Sequence, residues 1–232
     1  MAQNRREFIR NILAVGAGGA ATQLVGCGHT EPKPKLTEDQ AEQIAAHYDA
    51  TNNPEGTTNL YKILSGGQWV DQHGKAVDTE QLKKDYQSKF TTVTFGFGNC
   101  TELCPTINRN IGKLMKEYPN VGSFIISVNK NENTKNGREA YVEKLKIEYD
   151  VDVDKAVILF PSDTEQASKM QEDMGSIVNR RERRIHDEKI HLYAPQGREL
   201  TRTSGMSKYE DVKKVFNPYV TGSNLNTNSP RR

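Results

Sequence analysis

The feature that most constrains the fold is a β-branched and aromatic run, Thr91-Thr92-Val93-Thr94-Phe95-Gly96-Phe97, that leads straight into Cys100 and then Cys104-Pro105. Such a run reads as a central strand. Pro105 suits the first turn of a helix, because its missing N–H would be unpaired there anyway. The spacing then predicts a helix over 106–118, with Ile107, Ile111, Leu114 and Met115 on one face.

The segments that follow keep alternating. Residues 121–128 (VGSFIISV) read as a buried strand, and 139–149 and 163–177 as helices. Residues 190–193 and 199–203 read as a hairpin around Pro195-Gln196-Gly197. A helix over 209–216 closes the series. The order β-α-β-α-α-β-β-α predicts an α/β fold, a central sheet flanked by helices. A strand that runs through a cysteine pair into a helix is the arrangement of the thioredoxin-like fold. One domain, 59–220, accounts for these signals, and a Ser/Asn/Thr-rich tail over 221–232 reads as disordered.

The first segment reads as an address. Asn4-Arg5-Arg6-Glu7-Phe8-Ile9-Arg10 precedes a Gly/Ala-rich apolar run that ends at Gly26. A charged start before a short apolar stretch has the build of an export signal over 1–26. The paired arginines resemble a bacterial twin-arginine signal. Leu24-Val25-Gly26-Cys27 resembles a lipobox, in which the cysteine carries the lipid. Cys27 is therefore the expected lipidation site, and 27–58 a tether with a short helix. The tether opens on the stiff, Pro-containing GHTEPKPK. The expected location is the periplasmic side of a bacterial cell envelope, on a lipid anchor. No stretch offers the roughly 18 consecutive apolar residues of a membrane span.

Charge excludes one class of partner. The formal net charge is +2, and Arg5, Arg6, Arg10 and Glu7 leave with the signal. The remainder is formally neutral, so nucleic-acid binding has no electrostatic footprint.

With Cys27 lipidated, two of the three cysteines remain for chemistry. Cys104 falls near the N-cap of the predicted helix, where N–H groups and the helix dipole favour a thiolate. Cys100 sits four residues earlier, at the mouth of the loop. Both sulfurs can converge on one atom. Two soft thiolates select copper(I), zinc or an iron–sulfur cluster. Zinc prefers four ligands, whereas copper(I) accepts two or three. One imidazole would complete a trigonal site.

The chain has five histidines. His29 lies in the tether, His47 on a helix surface, and His73 in a turn before Gly74. His186 and His191 differ by an odd offset, so on one strand they would face opposite ways. Spacing alone does not choose between them.

The stretch TFGFGNCTELCPT, residues 94–106, resembles the C-x-x-x-C-P core of the Sco (SenC) family of copper-binding thioredoxin-like proteins. That family carries a histidine at a fixed distance before a Pro-x-Gly turn. His186 stands at this spacing from Pro195-Gln196-Gly197, and His191 does not. The resemblance implies Cys100, Cys104 and His186 as a copper site, for copper(I) with copper(II) as the second state. It spans roughly 59–219, with 124–128 like the family's central strand and 159–177 like its helix before the histidine. Two departures stand out. The family places an aspartate after its central strand, where this chain has the neutral Asn129. The loop Gly96-Phe97-Gly98-Asn99 lacks the family's common aromatic-Thr-His pattern.

The implied role is a copper(I) metallochaperone in cytochrome c oxidase assembly. Its partners would be a copper donor protein, the copper-site subunit of a respiratory oxidase or reductase, and the membrane. Ligand exchange with an incoming thiol predicts an exposed site. The alternative is a thiol–disulfide oxidoreductase that cycles Cys100 and Cys104 and keeps a client's cysteines reduced. A Cys-Pro-Thr at a helix start would also suit a peroxide-reactive thiolate, but that chemistry leaves the histidine unused. A static brace would gain little from a reactive helix-start position.

Overall fold

The computed structural model describes residues 59–174 and 188–222. The signal segment, the tether with Cys27, His186 and the tail from residue 223 onward lie outside the described residues.

A short helix α1 (Leu60–Ser65) precedes strand β1 (Trp69–Val70) and helix α2 (Thr79–Tyr86). Strand β2 (Phe90–Gly96) leads through the cysteine loop into helix α3 (Cys104–Glu117). Strand β3 (Val121–Ser127), a 3-10 turn (Lys130–Asn133) and helix α4 (Lys135–Tyr149) follow. Strand β4 (Ala156–Pro161), helix α5 (Thr164–Asp173), the hairpin β5 (Lys189–Tyr193) and β6 (Glu199–Ser204), and helix α6 (Tyr209–Val220) complete the order.

The six strands form one sheet in the order β1-β4-β3-β2-β5-β6. Strands β2, β3 and β4 run parallel at its centre, and β1, β5 and β6 are antiparallel additions at its edges. Every residue of β2 and β3 is buried, as expected of strands covered on both faces. Ile107, Ile111 and Leu114 of α3 and Leu145 of α4 pack with Ile125 and Ile158 on one face. Leu60 and Leu64 of α1, Tyr86 and Met170 pack with Val93, Phe95, Phe124 and Ile126 on the other.

Local chemistry sets the element ends. Asp78 caps α2 by accepting from the N–H groups of Glu80 and Gln81. Thr134 does the same for Gly137 at the start of α4, and Asp150 stops that helix in a left-handed conformation. Gly197, at φ +85°, makes the hairpin turn between β5 and β6. His73 lies in the turn after β1, where its N–H donates to Asp71 Oδ1.

The expected element order needs two corrections. Strand β4 is absent from it: residues 156–161 carry no assignment there, and the span 159–177 that resembles the family's helix takes in the second half of the strand. Its sequence AVILFP is apolar without helical alternation, and it fills a central position buried on both faces. Helix α5 starts at Thr164, as the reading from 163 expects, capped by Asp163, whose side chain accepts from Gln166 N–H. The stretch from Leu60 to Tyr86, unassigned in that order, supplies the edge strand β1 and the helices α1 and α2, which pack on the second face of the sheet. Among the described residues no helix is long and apolar enough to cross a membrane.

Candidate metal centre

The last paired residues of β2 and β3 are Gly96 and Ser127. The cysteine loop and the 3-10 turn therefore leave the sheet side by side, at the carboxyl ends of two parallel strands. That edge is where open α/β sheets commonly hold ligands.

The loop is tied at three points. Cys100 N–H donates to the Phe97 carbonyl at 3.2 Å. Gly98 N–H donates to Glu132 Oε1 at 2.6 Å, and Lys144 Nζ donates to the Gly98 carbonyl at 2.5 Å. Glu132 is itself buried, at 7 % exposure. Its other oxygen accepts from Ser127 Oγ at 2.7 Å, and Asn129 Nδ2 donates to Oε1 at 3.4 Å. Burial pushes the Glu132 carboxyl above its ordinary range, while the bonds from Ser127, Gly98 and Asn129 pull it back.

Both cysteines are reduced thiols, 6 % exposed at Cys100 and 2 % at Cys104. Cys104, not Pro105, is the first residue of α3, and Leu103 at the N-cap offers no side-chain bond. Cys100 Sγ takes that role, accepting from the Cys104 N–H at 3.2 Å. The two sulfurs are thus part of one hydrogen-bonded turn. Burial pushes the Cys104 thiol above its ordinary range and the hydrogen bond with Cys100 adds to the rise, while backbone hydrogen bonds at Phe97 and Cys104 itself pull it back. The exposed site expected from ligand exchange is not what the fold builds. The sulfurs are buried, although Asn99, Thr101 and Glu102 beside them are exposed.

Gly96 is where this arrangement needs the smallest residue. A Cβ there would lie 2.9 Å from Tyr141 Oη and 3.5 Å from Cys104 Sγ. The Tyr141 hydroxyl and the Cys104 sulfur therefore converge on the same side of β2. Tyr141 is 2 % exposed, its ring held edge-on by Phe160.

The two candidate histidines part company. His191 is fully buried on β5, where it pairs across the ladder with Val93. Val93 belongs to the sheet face away from α3. His191 Nδ1 lies 2.9 Å from Glu199 Oε1, and Arg202 Nε reaches the same oxygen at 3.1 Å. His191 is thus a structural histidine on the wrong face for the thiols. His186 lies outside the described residues. Among the described residues no cluster of three His, Cys, Asp or Glu could hold a metal ion. The described donors, two convergent thiols, suit a soft ion that accepts few ligands.

Sequence reasoning named both cysteines but missed their support. Glu132 sits in the polar run KNEN, which reads as ordinary loop. Tyr141 sits on a helix of ordinary composition, and nothing in its spacing marks it. The signal that could have found Glu132 is the neutral Asn129: where the family has an acid, this chain carries one three residues later.

Solved structures show the same fold. A SCO1/SenC family lipoprotein from Bacillus anthracis str. Ames is 25 % identical with a TM-score of 0.54, over 66 % of this chain and 91 % of that one. BsSco, a member of the Sco family of cytochrome c oxidase assembly proteins with a disulfide switch, is 22 % identical with a TM-score of 0.51, over 66 % and 91 %. Arabidopsis thaliana ScoI with copper bound is 17 % identical with a TM-score of 0.50, over 67 % and 96 %. No curated protein matches the sequence. The SCO1/SenC family model matches residues 57–215, well over half of the chain, with the cysteine loop inside the match, and the chain belongs to the SCO1/SenC family.

Proposed function

We propose that this chain carries copper(I) on Cys100, Cys104 and His186 and passes it to the copper-site subunit of a respiratory oxidase or reductase. The observation that carries the reading is the pair of thiols converging at the start of α3, in a member of a family with a copper-bound relative in Arabidopsis. The relative BsSco belongs to a group of cytochrome c oxidase assembly proteins, which supports that client. The relative from Bacillus anthracis is a lipoprotein, which supports an anchor at Cys27 and a place on the outer side of a bacterial membrane.

The chain's own residues divide the work. Cys104 is fixed by α3 and is the inner ligand. Cys100 lies on a loop with exposed neighbours and is the outer one. An incoming client thiol reaches Cys100 first, so exchange starts there and ends at Cys104. Glu132 and Lys144 hold the loop through Gly98, which keeps the two sulfurs in register while the ligands change. Burial keeps water from the sulfurs and suits a monovalent ion held by soft donors.

Thiol–disulfide exchange is the second reading, favoured by the hydrogen-bonded contact between the two cysteines and by the disulfide switch of BsSco. Joining Cys100 to Cys104 releases two electrons and two protons to a client disulfide, which is reduced to two thiols. The same bond would block metal binding.

His186→Ala separates the two. In the full chain with Cys27→Ser, this variant is expected to lose at least tenfold in copper(I) affinity by competition with a chromogenic chelator. Its dithiol should still oxidise at the parent rate. Unchanged copper affinity would contradict the three-ligand reading.

A further inference from the structure

Helix α3, which begins at Cys104, carries Arg109, Lys113 and Lys116 and no acid before Glu117, its last residue. All three cations are exposed. Their spacing puts them on one stripe, opposite the buried Ile107, Ile111 and Leu114. The far end of the stripe is answered within the fold. Lys116 pairs with Asp150, and Glu117 pairs with Lys213 at 2.6 Å and accepts from the Tyr209 hydroxyl at 2.7 Å. Arg109 and Lys113 have no acid within ion-pair distance among the described residues. Each lies over an aromatic ring instead, Arg109 5.8 Å from the centre of Tyr149 and Lys113 5.3 Å from that of Tyr209. A ring holds a cation in place without neutralising it. The other long helices mix their signs. Lys135 faces Glu139 on α4, Lys169 pairs with Asp173 on α5, and α6 opens on Glu210 and Asp211.

The stripe begins beside the thiols. At about 1.5 Å of rise per residue, Arg109 lies about 7.5 Å and Lys113 about 13.5 Å along the helix from Cys104. A standard protein interface covers about 800 Å² of each partner, a disc about 16 Å in radius. A protein docked over the cysteine loop therefore covers both cations, and it leaves them unpaired unless it brings acids of its own. A lipid surface is the poorer match, because polybasic membrane segments use clusters of about four to eight cations. We propose that Arg109 and Lys113 form the docking surface for an acidic patch on the protein that exchanges with Cys100 and Cys104. The inference rests on the reading that a partner thiol reaches this pair, and it adds the charge by which that partner is recognised. The exposed Glu102, between the two cysteines, has the opposite sign. It directs the partner's acids to α3 and away from the loop, which sets the partner's orientation.

The test uses the full chain with Cys27→Ser, reduced, and three short peptide disulfides whose cysteine is flanked by glutamates, lysines or serines. In each reaction Cys100 and Cys104 join and give up two electrons and two protons, and the peptide disulfide becomes two thiols. At low salt the Glu-flanked peptide should be reduced about tenfold faster than the Lys-flanked one. This ratio cancels the intrinsic reactivity of the protein's thiols. It should fall to about one when Arg109→Glu and Lys113→Glu are combined, and also in about 0.5 M salt. It should persist when Lys83→Glu and Lys84→Glu are combined, which changes the net charge equally on α2, on the other face of the sheet. Equal rates for the two charged peptides in the parent chain, or an equal fall in the α2 variant, would overturn the proposal. Copper(I) affinity should not change in the α3 variant; a loss would make the two cations structural and overturn it too. Phosphatidylglycerol vesicles bound by the parent and not by the α3 variant, beside equal peptide rates, would assign the stripe to a membrane instead. Should none of the three peptides be reduced, thiol exchange itself fails. Fluorescence anisotropy of the Glu-flanked peptide with serine for cysteine then decides the surface alone: binding lost in the α3 variant upholds it, and no binding to the parent overturns it.

Discussion

The two faces of the sheet each carry a polar cluster, and the clusters are built on opposite terms. On one face His191, Glu199 and Arg202 close on each other within 3.1 Å across the β5–β6 hairpin. On the other, Cys100, Cys104, Tyr141 and Glu132 gather at the ends of β2 and β3, with a phenol left without a partner. In the first cluster the buried His191 is answered by Glu199, and Glu199 by Arg202 at the surface, and it stabilises one structure. The second keeps two buried nucleophiles and an unanswered donor, an arrangement that gains its balance only when something else is present. A buried histidine is thus weak evidence for a site, whereas an incompletely satisfied cluster beside a cysteine pair is strong evidence.

Mutation should separate the two faces most sharply through the metal. Cys100→Ser or Cys104→Ser should abolish tight copper(I) binding, seen as loss of the one-to-one endpoint in a chelator titration. His191→Ala should leave that endpoint in place. It should instead lower stability by about 2–4 kcal/mol in urea unfolding, through a cavity and the lost hydrogen bond to Glu199 Oε1. Copper loss in His191→Ala with a native fold would collapse the distinction.

Next in size is the acid under the loop. Glu132→Ala strips the acceptor from Gly98 N–H and Ser127 Oγ, at about 1–3 kcal/mol for each group left unpaired. Its titration gives a sign that can be checked. The folded-state pKa of Glu132 is raised, so the native state holds this proton at pH values where the unfolded chain has released it. The contribution to stability is complete below the unfolded pKa and is lost as pH rises through the folded one. Glu132→Gln should flatten that decline in urea unfolding measured between pH 4 and 7. A parallel decline in both chains would place the effect elsewhere.

Much of this was legible in the sequence, and the misses have physical causes. Strand β2 and helix α3 announce themselves by β-branched composition and by the 3.6-residue spacing of Ile107, Ile111 and Leu114. Strand β4 does not, because a strand buried on both faces has no alternation to read. The cysteines were legible as chemistry, and their burial was not, since it depends on α4 bringing Tyr141 over Gly96. Glu132 was hidden for the same reason: its partners Gly98 and Ser127 come from two other segments of the chain.

The smallest effect concerns the family departure at Asn129. Asn129→Asp replaces a donor to Glu132 with a second carboxylate at the same place. The expected cost is on the order of 1 kcal/mol at neutral pH, vanishing under acid conditions where one of the pair is protonated. A variant more stable than the parent at neutral pH would mean that this loop accepts the family's acid beside Glu132.

The most direct test of the central claim is X-ray absorption of the copper(I)-loaded, Cys27→Ser chain. Two sulfur scatterers and one imidazole nitrogen around a single copper, with the nitrogen lost in His186→Ala, is the predicted result. A shell of sulfur alone, or one unchanged by the histidine substitution, would contradict it.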